Sequence, residues 1–559
     1  MSLISRPIDG FSVSAERRGL RLLEISPQQA LLLIVNVGLA LRAICAFWFR
    51  GMIDGEGAEY GRLAQNLLAG RGYVGIATPG DQLFFPPLYP MLIAALTVVT
   101  GNAEVAGRLL SVVAGSLTVI PVYLIARRLY DSRIAMLAAV LTGVHPFLVQ
   151  FSSTMFCEPT YLAIVLTAIY VAMRAMDNPS RGNLVTMGLL FGAAYLVRQE
   201  AFAYALIGAF IVALHIWFEG RARTKRLAWI SLVGLGFMLV AGPYIAWISV
   251  ESGQFRLQGK SSPNIQTESR IQQGQTSDQA AYSVAPDLTP TGTWMIPSAT
   301  TLQNFKIETS DLIKVLLVRA KVVMLDASNT IAGSLEFGSP FLFGLAFLGL
   351  FAAPWTLRLL VPQTYVLALL GLVPVGLLFT YVLGPRFYFL FLPFMCVWAS
   401  VGIMKIGGWA SRTAELCGTP TSYLPTIASG MRVIAVLSIL LPSAAFAAWQ
   451  LRDASSEWTF RNAIAGLTAT ETAPMYFADT STQAAFHANA DFVWLPYSDE
   501  TTALRYLEKV GVTHVVLRPD VGERPYLQKW IDEGVPGARR VADVTSAKGV
   551  RLQIYELNR

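Results

Sequence analysis

The chain has 559 residues, of which 54% are hydrophobic and only 14% are charged. Soluble proteins carry roughly 25% charged residues, so this composition excludes a surface that faces only water and indicates that lipid covers much of the molecule. The formal net charge is +7. The basic residues cluster in short connectors, which is typical of a membrane orientation signal and argues against a nucleic-acid surface.

Residue types that bind metals or form redox pairs are dispersed along the chain. No two of them have metal-ligand or redox-motif spacing, so we expect no built-in zinc site. The cysteines are Cys45, Cys157, Cys396 and Cys417, and the histidines are His145, His215, His487 and His514.

Apolar runs long enough to cross a bilayer recur along most of the chain. One further run, 84–100, has its prolines in the first half, and it is either a short span or a helix lying at the interface. The eleven clear runs lie near 28–50, 104–127, 133–151, 158–176, 183–197, 200–218, 227–250, 338–357, 363–383, 386–404 and 430–450.

The basic connectors decide between these two alternatives. If the basic N-terminus is cytoplasmic and 84–100 does not cross, the connectors near 127–133, 174–181 and 221–226 all fall on the cytoplasmic side, as the positive-inside rule requires. If 84–100 crosses, these connectors fall outside. We therefore predict eleven spans, with the segments 51–103 and 251–337 and the C-terminal domain on the outer face.

The segment after the first span predicts an amphipathic helix that lies flat at the outer interface. Its apolar face has i, i+3, i+4, i+7, i+8 spacing, and Asp54 and Glu56 stand just before it. One interpretation is that these two carboxylates only cap the helix. The apolar face consists of Tyr60, Leu63, Ala64, Leu67 and Leu68, and the other side carries Glu59, Arg62, Gln65 and Asn66.

Further ionisable residues stand at the outer ends of other spans: Glu158 at one, Arg198 and Glu200 at a second, and Arg386 at a third. Taken singly, either arginine is better explained as an anchor that reaches the membrane surface. Charges at membrane depth are costly and usually face a cavity or one another. Their occurrence on one face, together with Asp54 and Glu56, therefore predicts a shared polar cavity.

A cavity of carboxylates and arginines at the outer leaflet suits a lipid-phosphate substrate. Arginine holds phosphate in a bidentate manner and stabilises it as a leaving group. A carboxylate can take the proton of an acceptor hydroxyl. Phosphate leaves a sugar carbon without a general acid, so one base and several cations suffice, unlike the carboxylate pair of glycoside hydrolysis.

The ordered motifs EYGRLAQNLLAGRGY, FFPPLYP, AGRLLSVVAGSLTVIPVYLIARRLYDSRIAML, YLVRQEA and PRFYFLFLPF resemble those of the GT-C glycosyltransferases. The closest branch contains the bacterial relatives of protein O-mannosyltransferases and aminoarabinose transferases, and the resemblance covers about 28–405. It implies a polytopic α-helical membrane fold, a polyprenyl-phosphate sugar donor, and inversion at the sugar carbon on the outer face of the bacterial cytoplasmic membrane.

The resemblance also assigns roles to single residues. It places Glu56 on the position of the catalytic base, with Asp54 as the alternative, and Glu158 on a second acidic position that orients the acceptor or a metal. It places Arg198 and Arg386 near the lipid phosphate. Lys260 is either a third cation over the donor or a solvated loop lysine.

The sequence departs from aminoarabinose transferases at Phe85, because those enzymes carry lysine directly before the two prolines. This departure argues against an aminoarabinose donor. The sugar and the acceptor are not specified by the sequence. A divalent cation, Mg²⁺ or Mn²⁺, is compatible with two or more carboxylates at the site, but no ligand set is evident.

Two outer segments complete the organisation of the chain. Residues 251–310 are rich in Ser, Thr, Gln, Gly and Pro and are either disordered or a mobile lid over the cavity. From about 451 to 559, alternating apolar residues and helical patterns predict a small α/β domain with a partly parallel sheet. This domain either meets the acceptor or braces the outer loops, and its histidines are expected to be structural.

Other functions share some of these features. A transporter or flippase for polyprenyl-linked sugars also needs a polar cavity among many spans, but it more often shows internal repeats and broken helices at the membrane midplane. A ligase or polymerase with a pyrophosphate-linked donor is the alternative among enzymes. A non-catalytic receptor would leave the long interfacial segment after the first span unexplained.

Overall fold

The computed structural model describes residues 26–48, 51–219, 227–335, 337, 339–352, 355–455, 457–470, 474–519, 522–546 and 549–558. The basic residues of the N-terminus and of the connector 221–226, which entered the orientation argument, lie outside these ranges. Most of the described chain is helical, and a small sheet follows near the C-terminus.

Among the described residues, the first part of the chain folds into ten helices. Several begin at a side chain that accepts hydrogen bonds from the first turn, among them Asp54, Asn102, Asp131 and Ser180, which are favoured capping residue types. The helices are α1 (Pro27–Trp48), α2 (Gly55–Leu68), α3 (Leu88–Thr100), α4 (Ala103–Leu117), α5 (Val119–Leu129), α6 (Ser132–Val144), α7 (Pro146–Phe151), α8 (Glu158–Asp177), α9 (Arg181–Tyr195) and α10 (Ala201–Glu219).

As far as the structure describes it, the second part contains ten further helices, a π-helical turn at Asn329–Gly333 and a 3-10 turn at Pro385–Tyr388. The helices are α11 (Ser231–Ser252), α12 (Ser261–Gln272), α13 (Ser277–Tyr282), α14 (Ser298–Asn304), α15 (Thr309–Ser328), α16 (Ser339–Ala352), α17 (Leu357–Leu377), α18 (Phe391–Leu416), α19 (Leu424–Ser455) and α20 (Trp458–Thr470).

Eight helical segments of the described chain are long and apolar enough to cross a membrane, one of them formed by α4 and α5 together (Ala103–Leu129), and each corresponds to a predicted span. The other three predicted spans, 133–151, 183–197 and 338–357, contain the shorter helices α6, α9 and α16. The run 133–151 is divided into α6 and α7 because Pro146 follows His145, and a residue before proline is disfavoured in helical conformation. The run 84–100 folds as the short helix α3.

Glycines allow neighbouring helices to approach closely. A Cβ at Gly188 of α9 would overlap the carbonyl oxygen of Val233 in α11, and one at Gly349 of α16 would overlap that of Trp398 in α18. Small residues at such crossings let van der Waals contacts form where lipid offers no hydrophobic driving force. These crossings fix the helices that carry the outer loops.

Helix α2 forms as predicted, but its apolar face packs against protein, so the expectation that this face meets the lipid interface is wrong. Tyr60, Leu63 and Ala64 are at most 3% exposed, and α2 contacts α3, α4 and a helix of the C-terminal domain. Its polar side is buried as well: Glu59 accepts hydrogen bonds from Ile76 N and Ala77 N. Amphipathic spacing alone does not distinguish a lipid surface from a protein surface, which is why the sequence misplaced the helix.

The outer segment 251–337 is folded, so the alternative that 251–310 is disordered is wrong. Helices α12, α13 and α14 lie within it, and α15 continues it for 20 residues. Arg256 ties the segment together by donating to Ser262 Oγ at 2.9 Å and to the Leu302 carbonyl at 2.5 Å. A lid motion of this segment stays a prediction.

The C-terminal domain has the predicted strands and helices, and its sheet is partly parallel. The strand order is β2-β1-β3-β5-β4, with β1 parallel to both β2 and β3 and the remaining pairs antiparallel. The edge strand β4 was not predicted. The elements are β1 (Tyr476–Asp479), α21 (Gln483–His487), β2 (Asp491–Trp494), α22 (Glu500–Val510), β3 (His514–Leu517), α23 (Leu527–Glu533), β4 (Ala538–Thr545) and β5 (Arg551–Leu557).

The junction between the helical part of the chain and the C-terminal domain is polar and buried. Glu104, at the start of α4, accepts two hydrogen bonds from Arg461 of α20, at 3.0 and 2.9 Å. His487 of the C-terminal domain accepts a hydrogen bond from Ile53 N at 3.4 Å, and burial lowers the pKa of this histidine to about 4. These contacts hold the C-terminal domain against the segment that precedes α2.

Candidate active site

A cavity of about 690 Å³ lies where α2, the α9–α10 turn, the outer segment, the end of α17 and the C-terminal domain meet. The predicted site residues gather around it. Glu56, Arg198, Glu200, Lys260 and Arg386 line the cavity, although they come from four separate parts of the chain. The predicted shared polar cavity is therefore present in the structure.

Glu56 lies between two cations. It stands in the first turn of α2, its Oε1 accepts a hydrogen bond from Lys260 Nζ at 2.7 Å, and Arg386 NH2 is 3.2 Å from the same oxygen. Lys260 immediately precedes α12, and its ammonium lies 4.4 Å from the centre of the Phe85 ring. Phe85, where aminoarabinose transferases carry lysine, thus packs against a lysine supplied by the outer segment.

The charges around Glu56 determine its protonation. Burial disfavours the carboxylate and by itself raises the pKa, but the positive charges of Lys260 and Arg386 outweigh burial and hold the pKa of Glu56 well below its ordinary value. The group is therefore ionised at every pH of biological interest. An anion that enters the cavity would bind the same two cations, Lys260 and Arg386, as Glu56 does.

Asp54 occupies a different position from Glu56. Its side chain accepts a hydrogen bond from Glu56 N at 2.9 Å and caps α2, so the capping interpretation holds for this residue. Arg386 NH1 is 3.9 Å from its Oδ1. Asp54 therefore lies beside the cavity and holds the start of the helix that presents Glu56.

Arg198 is held by two carboxylates. It donates to Glu158 Oε1 at 2.8 Å and to Glu200 Oε1 at 2.7 Å. Glu158 begins α8 and is 2% exposed. Arg198 and Glu200 are among the described residues that line the cavity, whereas Glu158 is not, so Glu158 acts on the cavity through the arginine that it orients.

The carboxylates of the site do not form a metal centre of protein ligands. Within the described ranges, no group of three or more His, Cys, Asp and Glu side chains is arranged to hold a metal ion. Glu56 and Glu158 are each already paired with an arginine or lysine, and a cation bound there would have to displace these partners. The residues present therefore do not fit a resident Mg²⁺ or Mn²⁺ held by protein ligands alone.

The walls of the cavity differ in character. Apolar parts of α10 and α17, such as Phe202, Leu372 and Leu377, form part of its lining. Neighbouring side chains on the same helices, including Leu206 and Val375, are 55% and 49% exposed. A ligand with a polar head at Arg386 and an apolar chain would thus have a continuous apolar path along these helices.

Sequence reasoning missed the wall that the C-terminal domain contributes. Thr480, Ser481, Thr482 and Trp494 line the cavity together with Tyr282 of the outer segment. Thr482 Oγ1 donates to the Gly55 carbonyl at 3.2 Å, and Trp494 Nε1 donates to the Ala77 carbonyl at 2.7 Å. The signal that could have revealed this wall was the run of three hydroxyl residues, Thr480, Ser481 and Thr482, directly after a buried strand.

Known proteins share this architecture. Residues 85–247 match the family model described as dolichyl-phosphate-mannose-protein mannosyltransferase. No curated protein matches the sequence. The structure of ArnT from Cupriavidus metallidurans bound to undecaprenyl phosphate is 13% identical, with a TM-score of 0.51 and coverage of 94% of this chain and 97% of that chain. For the same protein in the apo state the TM-score is 0.55, with the same identity and coverage.

The apo oligosaccharyltransferase of Archaeoglobus fulgidus is 14% identical, with a TM-score of 0.55 and coverage of 89% of this chain and 70% of that chain. The family model and the solved structures all point to the GT-C superfamily, related to mannosyltransferases and aminoarabinose transferases. The predicted resemblance is confirmed. The chain is a multi-pass membrane protein with the GT-C fold.

Proposed function

We propose that this protein is an inverting glycosyltransferase that moves a sugar from a polyprenyl-phosphate donor to an acceptor hydroxyl. The observation that carries the proposal is Glu56, a cavity carboxylate bridged by Lys260 and Arg386. The GT-C fold supports it, as does the likeness to a structure bound to undecaprenyl phosphate. Such a reaction needs one base and a set of cations, and this cavity holds both.

The donor phosphate fits between Lys260 and Arg386, with Arg198 as a further cation of the same wall. Charge-assisted hydrogen bonds from lysine and arginine are the strong contacts for phosphate. The polyprenyl chain follows the apolar wall of α10 and α17. The sugar then projects away from the lipid, towards the wall formed by α2 and the C-terminal domain.

Donor binding prepares the base. The phosphate competes with Glu56 for its two cations, and the carboxylate loses part of the interaction that depresses its pKa. Glu56 then accepts the proton of the acceptor hydroxyl while the acceptor oxygen forms a bond to the anomeric carbon. The bond from that carbon to the phosphate oxygen breaks, and the electron pair leaves with the polyprenyl phosphate, whose added negative charge Lys260 and Arg386 stabilise.

We further propose that the cavity lies on the outer side of a bacterial cytoplasmic membrane. Arg128 pairs with Asp177 at one end of α8, at 2.6 Å, while Glu158 stands at the other end of this 20-residue helix. A helix of that length spans about 30 Å. The basic connectors near 127–133 and 174–181 therefore lie at the end of α8 opposite the cavity, which supports the outer face under the positive-inside rule.

The test compares Glu56→Gln with Asp54→Asn in purified full-length protein, using a panel of undecaprenyl-phosphate sugars. Glutamine keeps the shape of Glu56 and removes its basicity, so we expect turnover to fall by about 10²–10⁴-fold while donor binding persists. Asparagine still caps a helix, so Asp54→Asn should retain most activity.

Unchanged turnover in Glu56→Gln would overturn the assignment of the base. Donor binding without any turnover in the wild type would contradict the transferase and favour a flippase. Turnover only with a pyrophosphate-linked donor would favour the ligase or polymerase alternative.

A further inference from the structure

The C-terminal domain turns a ligand-binding edge of its sheet towards the cavity. From β1 the chain crosses to β2 on one side and then to β3 on the other, so the strand order reverses at β1. In open α/β sheets, ligands bind outside the carboxyl ends of the strands at such a reversal. The residues that follow β1 are Thr480, Ser481 and Thr482, which line the cavity.

This loop is held rigidly and presents a free hydroxyl. The buried carboxylate of Asp479 accepts hydrogen bonds from Thr480 N at 2.6 Å and Ser481 N at 3.2 Å, and Arg518 pairs with it at 3.2 Å. Within the part of the chain that the structure describes, the Ser481 hydroxyl makes no hydrogen bond of its own. A fixed loop with an unused hydroxyl at a cavity wall is suited to bind a polar ligand.

An aromatic surface lies beside the hydroxyl loop. The Trp494 and Tyr282 rings pack with their centres 4.6 Å apart, and the Trp494 indole is anchored on the Ala77 carbonyl. Charges near this surface are paired, since Arg524 lies over Tyr282 and bonds to Asp278 at 2.5 Å. The wall therefore offers hydroxyls and aromatic rings with no free charge, which matches a neutral polyhydroxylated ligand with apolar ring faces.

We infer that this wall, made of Thr480, Ser481, Trp494 and Tyr282, binds the acceptor, and that the acceptor is a neutral glycan. The inference rests on the proposed function and adds the acceptor class of the same cavity. Thr482 bonds to the carbonyl of Gly55, the residue directly before Glu56. A sugar hydroxyl held on this wall is thereby placed next to the base that removes its proton.

The wall favours a glycan over two other acceptors. A lipid acceptor needs apolar surface, which the cavity offers on the opposite side, along α10 and α17. A peptide that adds to a sheet needs an open strand edge, and of the four wall residues only Trp494, the last residue of the edge strand β2, belongs to a strand. Thr480, Ser481 and Tyr282 lie outside the strands and offer only side chains. The glycan is therefore the acceptor that the chemistry of this wall recognises.

The test uses full-length protein in detergent and two separate binding measurements. One is binding to an array of neutral oligosaccharides and Ser/Thr-containing peptides, and the other is binding of undecaprenyl phosphate. For Ser481→Ala we expect oligosaccharide binding to weaken about three- to tenfold, as for one lost hydrogen bond. For Trp494→Ala the loss should exceed tenfold, and undecaprenyl phosphate should bind both variants like the wild type.

Thr501→Ala is the matched control, because it removes an exposed hydroxyl of the same domain on α22 and should bind both probes normally. Ser481→Ala keeps the test valid if Trp494→Ala does not fold. Wild-type binding to peptides alone, or to nothing on the array while undecaprenyl phosphate binds, would overturn the inference and leave the proposed function standing. Failure of the wild type to bind undecaprenyl phosphate would overturn the proposed function and the inference with it.

Discussion

Replacing Lys260 by methionine separates its two interpretations, a donor cation or a solvated loop lysine. Methionine retains the apolar stem over Phe85 and removes the charge that lies 2.7 Å from Glu56. A hydrogen bond to a charged group contributes about 1.5–3 kcal/mol. Because 36% of the Lys260 side chain is exposed, solvent screening places the loss near the lower end, about 1.5 kcal/mol, or roughly tenfold in donor affinity.

The same substitution has a consequence for pH dependence. The lowered pKa of Glu56 means that its base form is present above the ordinary glutamate pKa of 4.5 and is lost only as pH falls well below it. Removing one of the two cations raises that pKa, so the acidic limb of kcat/KM should move to higher pH.

The assay is transfer from an undecaprenyl-phosphate sugar, with donor KM and kcat/KM measured across pH for wild type, Lys260→Met and Lys306→Met. Lys306 is an exposed lysine of the same outer segment and serves as the control. An unchanged donor KM together with an unchanged pH profile in Lys260→Met would refute the reasoning. In that case Lys260 would be a solvated loop residue.

Three further predictions follow from the buried pairs. Arg198→Gln leaves Glu158 buried without its partner and should destabilise the protein by about 3–5 kcal/mol, seen as a lower melting temperature that Glu158→Gln in the same chain partly restores. Glu104→Gln removes the carboxylate that binds Arg461, so hydrogen exchange in α20 should accelerate, whereas the same change at exposed Glu508 should have no such effect. Because cations already pair with the site carboxylates, EDTA should leave turnover unchanged, and a loss that Mg²⁺ restores would contradict this.

Much of the site was accessible from the sequence because the bilayer restricts what a chain can do. Once the spans are assigned, ionisable residues at their outer ends are expected to face a cavity or one another. Glu56, Arg198 and Arg386 indeed line one cavity. The GT-C resemblance was also accessible from the sequence, because it rests on the order of the motifs along the chain. The capping role of Asp54 was among the interpretations that the sequence offered, whereas the position of Glu158 behind Arg198 was not accessible, because it depends on side-chain geometry.

Sequence by itself determined the membrane class, most of the span positions, and the strands and helices of the C-terminal domain. These follow from local hydrophobic periodicity and from the length a helix needs to cross lipid. Only the tertiary structure decided that α2 is buried in protein, that the outer segment is folded, and that Ser481 and Trp494 line the same cavity as Glu56. The last of these facts rests on contacts between residues more than four hundred positions apart, such as Thr482 with Gly55, which no local pattern encodes.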